Sequence, residues 1–301
     1  MNKHSSIRSS GSLLERASEK FDFAAALRGA ATEFPVDDAV PTADPAASPA
    51  PAVAPAFDRE AVCVDRVALA EAGFVLPDQR PGPLAEEFRI VKRQLLLRAA
   101  GEGGPPIGNG RMILVCSAKP DEGKTFCSVN LALSMARETD LDIVLADSDL
   151  NNPEIAALMG VEDGPGLMDA VADPAIDIES CLVRTDISNL SLLRAGRRTD
   201  DATELLASQR TSEIFRALLA SNPTRIAIFD SPPALSASPA SVLAMHAGQT
   251  VLVVKADTTN EAELREALGL LDGCDHIQLL LNGVTFTPNG KRFSEYYGYG
   301  E

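Results

Sequence analysis

The sequence predicts an α/β fold, a doubly wound and mostly parallel sheet spanning about residues 84–290. Three observations carry this. Short, continuous apolar runs recur along the chain, as buried parallel strands require. Helical segments alternate with them. The first run empties into a Gly-containing turn that opens a helix.

The elements follow in order. A helix opens near Pro83, where LAEEFRIVKRQLLLRAA sets Leu84, Phe88, Val91, Leu95 and Arg98 on one face. The stretch GEGGPPIGNG ends it. The apolar runs are MILVCSA (112–118), DIVLAD (142–147), LSLLRAG (190–196), RIAIFDSPP (225–233), QTVLVVKAD (249–257) and HIQLLLNGV (276–284). Segments near 125–138, 204–221, 237–247 and 261–272 read as the helices between them.

Ahead of this domain lies an extension, residues 1–82. Residues 12–28 form one helical island, with Ser12 and Glu15 spaced as a capping box. It is either a transient helix or a docking helix for a partner. Residues 34–57 hold six Pro and eight Ala, a linker that cannot pack a core. A weakly ordered stretch then reaches about residue 82. The expected organisation is therefore an extension (1–82), a nucleotide-binding domain (83–290) and a flexible tail (291–301).

Composition narrows the function classes. Of 301 residues, 27 are Lys or Arg and 43 are Asp or Glu, a net charge of −16. That balance argues against a nucleic-acid partner. No apolar run approaches the roughly 20 residues of a membrane-spanning helix. The five cysteines are scattered without a CxxC or Cys/His cluster, which argues against structural zinc and for a reducing cytoplasm.

The chemistry concentrates at three strand ends. Ala118, Lys119, Pro120, Asp121, Glu122, Gly123, Lys124 and Thr125 fit the P-loop pattern G-x-x-x-x-G-K-[ST], with Ala118 in the first Gly place; Phe126 follows inside the helix. Backbone N–H groups of such a loop surround a β-phosphate, and the helix N-terminus favours anions. Gly123 permits close approach, Lys124 reaches the β- and γ-phosphates, and the Thr125 hydroxyl is a Mg²⁺ ligand. Asp147 and Asp149 end the second long run and Asp230 ends another. Three carboxylates at one crevice call for a cation, which a Mg²⁺ bound to nucleotide phosphates would supply. Asn282, after the last strand, stands where it either reads the adenine or makes a turn.

SAKPDEGKT, a D-x-D after the next strand and the IFDSPP segment together resemble the bacterial tyrosine kinases of capsule and exopolysaccharide assembly. These form a branch of the P-loop ATPases alongside Min- and Par-type positioning ATPases. The resemblance covers about 84–301, and SLLERA with its Pro/Ala linker looks most like the exosortase-associated autokinase subgroup. It implies that Lys124, Asp147 and Asp149 are catalytic, with one of the two carboxylates helping to deprotonate the attacking tyrosine. It implies that Thr125, Asp149 and Asp230 hold Mg²⁺. Glu86, Arg89 and Lys92 match the family's E-x₂-R-x₂-R oligomerisation helix, with Lys in place of the last Arg. The implied partners are other copies of the chain, a transmembrane chain-length-determinant activator and a tyrosine phosphatase. The implied location is cytoplasmic, against the inner membrane through that activator. Leu150-Asn151 follows the D-x-D where the family usually has Leu-Arg.

All three tyrosines of the chain, Tyr296, Tyr297 and Tyr299, fall in its last six residues. The surrounding TFTPNGKRFSEYYGYGE has no apolar periodicity and reads as an exposed segment. The resemblance makes these tyrosines the phosphoacceptors. Glu295 and Glu301 add negative charge suited to a basic recess. Three phosphates would add about −5 in charge, enough to push neighbouring subunits apart. The alternative in a different class is a Min/Par-like ATPase that cycles between an ATP-bound oligomer and a monomer. A nucleotide-free regulator is a third.

Overall fold

The structure, a computed structural model, describes residues 61–102 and 107–284. The helical island, the Pro/Ala linker and the three tyrosines lie outside the described residues.

Seven strands form one sheet: β1 (Met112–Ser117), β2 (Asp142–Asp147), β3 (Leu182–Arg184), β4 (Leu190–Leu193), β5 (Arg225–Asp230), β6 (Gln249–Lys255) and β7 (Ile277–Asn282). Their order is β3-β4-β2-β5-β1-β6-β7. Every pairing is parallel except β3 with β4. All six long-run strands of the sequence reading are present. The short antiparallel β3, LVR, is an addition that three residues of mixed exposure could not announce.

Nine α-helices accompany the sheet among the described residues. They are α1 (Arg66–Glu71), α2 (Pro83–Ala99), α3 (Lys124–Met135), α4 (Ile155–Leu158), α5 (Leu167–Ala172), α6 (Ala202–Leu206), α7 (Gln209–Ala220), α8 (Pro239–Ala244) and α9 (Glu261–Leu270). The expected helix over 204–221 is two helices. Ser208 accepts a hydrogen bond from Thr211 N–H at 3.3 Å and so caps α7, which separates it from α6.

Alternation along the strands divides the core between two faces. Leu114, Val144, Phe229 and Leu252 face α5, α7, α8 and α9. Ile113, Val115, Leu145, Ile228 and Val253 face α1, α2 and α3. Because the long strands are parallel, their carboxyl ends share one edge of the sheet. Asp147 and Asp230 are register partners on β2 and β5 at that edge.

Residues 61–82, expected to be weakly ordered, are part of the folded domain. Val62 bridges Thr185 beyond β3, and α1 follows with Asp65 as its N-cap. Leu69, Phe74 and Leu76 are buried against the α3 face of the sheet. Val75 N–H donates to Asn130 Oδ1 at 2.8 Å, and Arg66 pairs with Asp186 at 2.5 Å and Asp78 at 3.4 Å. This strap runs from the sheet edge to the helix that carries the phosphate loop.

Candidate active site

The loop between β1 and α3 needs two left-handed residues. Asp121 has φ +62° and Gly123 φ +92°. At Gly123 a side chain would also collide with the carboxamide nitrogen of Asn282. No side chain caps α3, and its first internal bond runs from Cys127 N–H to Gly123 O. The N–H groups of Lys124, Thr125 and Phe126 therefore have no acceptor within the helix. Such a helix end fits a phosphate.

Lys124 Nζ lies 2.8 Å from Asp149 Oδ2, and both side chains are largely buried. Burial alone would lower the Lys124 ammonium, but Asp230 and Asp149 outweigh it and hold its pKa above the usual value. Thr125 donates its hydroxyl to Asp230 Oδ2 at 2.7 Å, and Ser128 donates to Oδ1 at 2.9 Å. Burial pushes Asp230 up to about 6, against the pull of Lys124 and those two hydroxyls. Asp147 accepts from Asp149 N–H at 3.2 Å and from Ile155 N–H at 3.0 Å. Burial, with the nearby Asp230 and Asp149 charges, pushes it up to about 7 despite those donors. Lys124, Thr125, Asp147, Asp149 and Asp230 thus meet at one point, as the sequence pattern expects.

A Thr hydroxyl and two carboxylates are hard oxygen donors of the kind Mg²⁺ takes while keeping several waters. Together with the open N–H groups they fit a magnesium nucleotide.

Other expected site residues sit differently. The ring of Phe126 turns away from the crevice and packs on Phe74 (5.2 Å) and Phe88 (6.3 Å), so its backbone alone faces the loop. Lys119 Nζ pairs with Glu263 at 2.8 Å within the chain. Asn282 Nδ2 donates to Glu122 O at 2.9 Å, so its carboxamide holds the loop. Lys92 sits inward. It is 6% exposed, donates to Ser134 O and pairs with Glu138, and so ties α2 to α3. Glu86 and Arg89 pair with each other on the outer face of α2 at 2.8 Å.

Sequence reasoning missed the frame behind the loop. Glu122 is buried, takes Lys119 N–H on one oxygen at 2.8 Å and the Thr259 hydroxyl on the other. Lys255 Nζ donates to Asp121 O at 3.0 Å. With Asn282, these fasten the loop to the carboxyl ends of β6 and β7. The polar Thr259-Asn260 ahead of α9 was the available signal.

No protein-family model matches the chain. Among curated proteins it is similar to the tyrosine-protein kinase Wzc of Salmonella typhimurium, 28% identical over 190 residues. That match covers 62% of this chain and 26% of Wzc. The tyrosine-protein kinase YwqD of Bacillus subtilis is 28% identical over 63% of this chain and 76% of its own length. The chain thus spans about a quarter of Wzc but most of YwqD. Among solved structures, the VpsO kinase domain matches with a TM-score of 0.55 and 28% identity, over 67% of this chain and 96% of that domain.

Proposed function

We propose that this chain, a member of the bacterial tyrosine kinases on the P-loop ATPase fold, transfers the γ-phosphoryl group of ATP to its own Tyr296, Tyr297 and Tyr299, between copies in an oligomer. The observation that carries this reading is the convergence of Lys124, Thr125, Asp149 and Asp230 on a loop with open N–H groups. Catalysis of this transfer is mainly positioning and charge neutralisation.

The geometry supports the following roles. The loop N–H groups and Lys124 hold the phosphates; Lys124 leaves Asp149 to do so. Thr125, Asp149 and Asp230 would hold Mg²⁺, which when bound neutralises charge on the phosphates. One carboxylate of the Asp147/Asp149 pair accepts the tyrosine proton. Glu86, Arg89 and Lys92 would face a neighbouring subunit, with Glu86 and Arg89 the more accessible of the three.

The resemblance supports a role in capsule or exopolysaccharide assembly, where a transmembrane chain-length-determinant protein would activate the kinase and a phosphatase would reset it. No helix among the described residues is long and apolar enough to cross a membrane, in keeping with a separate membrane partner.

Two variants test the reading together. One carries Lys124→Met with an intact tail; the other keeps the loop but has all three tyrosines changed to Phe. Mixed with Mg·ATP, they should yield phosphate on the tail of the first, located by tandem mass spectrometry. Phosphate on the wild-type tail but never in the mixture would refute transfer between copies. A wild-type chain that never gains tail phosphate, yet oligomerises with ATP, would make it a positioning ATPase instead.

A further inference from the structure

The two edges of the sheet differ. At the β3 edge the chain covers itself: Val62 N–H donates to Arg184 O and Asp186 N–H donates to Val62 O, both at 2.9 Å. At the other edge, β7 pairs only with β6 among the described residues. Open edges are commonly blunted by charges or proline, yet residues 277–284, IQLLLNGV, hold neither.

The backbone of β7 is directed for further pairing. Thr250 N–H donates to His276 O and Ala256 N–H to Asn282 O, both at 2.8 Å. The even-numbered residues of β7 therefore face β6, and Ile277, Leu279 and Leu281 turn their N–H and C=O groups outward. The side chains agree. Leu279 is 56% exposed and Leu281 59%, on the sheet face opposite Leu280. Val284 and Leu270 of α9 are exposed as well.

The pattern is self-complementary. A two-fold axis at Leu280 sets β7 antiparallel to β7 of a second copy. In that register Leu279 of each copy lies opposite Leu281 of the other, as hydrogen-bonded pairs. Ile277 meets Gly283 and Gln278 meets Asn282, so no charge faces a like charge.

We propose that β7 is a dimerisation edge, at which two copies of this chain join their β7 strands antiparallel into one continuous sheet, with Leu279 and Leu281 as the apolar seam. The strand carboxyl ends of the two copies then point in opposite directions. The contact therefore sets the two phosphate loops at opposite ends of the shared sheet. It does not use Glu86 or Arg89, and it does not rest on the kinase reading.

Sedimentation equilibrium of the full-length, nucleotide-free chain reads the association. The parent should dimerise. Leu279→Lys with Leu281→Lys should raise the dimer Kd at least about 30-fold, the scale of two lost cross-strand leucine pairs. Leu279→Glu with Leu281→Glu should do the same, and an equimolar mixture of the two variants should recover a 1:1 dimer. Recovery by opposite charge is a result that a folding defect could not produce. Raising KCl from about 50 to about 500 mM should tighten the parent dimer, because each copy carries −16 and the seam is apolar. An assembly held by Glu86 and Arg89 would loosen instead. Hydrogen exchange at the Leu279 and Leu281 amides should slow as concentration rises through Kd. A parent that stays monomeric, a lysine variant that associates as the parent does, or a mixture without recovery would overturn the inference. Amides already slow in the monomer would overturn it too, because residues of the same chain would then cover the edge.

Discussion

Replacing Asn282 by Ala separates two jobs that an Asn after the last strand can do. The structure gives its carboxamide to Glu122 O at 2.9 Å, so it acts on the loop and hence on the phosphates. The residue is half-buried, so water can partly replace the lost donor. Lys255 and Thr259 still hold Asp121 and Glu122, which bounds the damage. One hydrogen bond of this kind contributes about 1 kcal/mol, or roughly fivefold in affinity. Titration calorimetry with ATP, GTP and inorganic triphosphate, each with Mg²⁺, reads the result. All three should weaken about fivefold and in parallel, because the loop meets the same phosphates in each. Loss of ATP affinity alone, with triphosphate and GTP unchanged, would show that Asn282 reads the base and that the fastening argument is wrong.

Two further outcomes follow from the packing and the charges. The carboxyls of Asp147 and Asp230 titrate at about 7 and 6 when folded, above their ordinary value near 3.8. Their contribution is therefore full below about pH 4 and lost as pH rises through 6 to 7. For Asp230 alone the loss is on the order of 3 kcal/mol. Nucleotide-free protein should melt at a lower temperature at pH 8 than at pH 5, and Mg·ADP should narrow the gap; a flat or rising profile would contradict the burial argument. Phe74→Ala empties a buried site in the strap, costing about 3 kcal/mol, or roughly 6–12 °C in melting temperature by calorimetry. A melting point equal to the parent's would mean that the strap is not part of the cooperative fold.

Much of the architecture is written in local patterns. Runs such as MILVCSA and RIAIFDSPP are legible because strands buried on both faces need no polar alternation, and GKT after the first of them marks the loop. What escaped was decided by partners distant in the chain. Leu69, Phe74 and Leu76 are too sparse around a six-residue helix to announce a strap; their burial depends on Phe126 and the α3 face. Lys92 sits in a motif that reads as surface, yet a groove between α2 and α3 with Ser134 O and Glu138 draws its ammonium inward. Glu122 lies inside the loop motif, but its role exists only once Thr259 and Lys119 N–H arrive.

The fastening of the loop has a consequence during synthesis. Asn282 lies 160 residues after the carbonyl it holds. A ribosome adding about 5–20 residues per second delivers it roughly 10–30 s after Glu122. Until then the loop lacks its hold from β7, as Lys255 and Thr259 also come late. The tyrosines emerge later still. Each nascent chain therefore carries an incompletely framed nucleotide loop until β7 has been made.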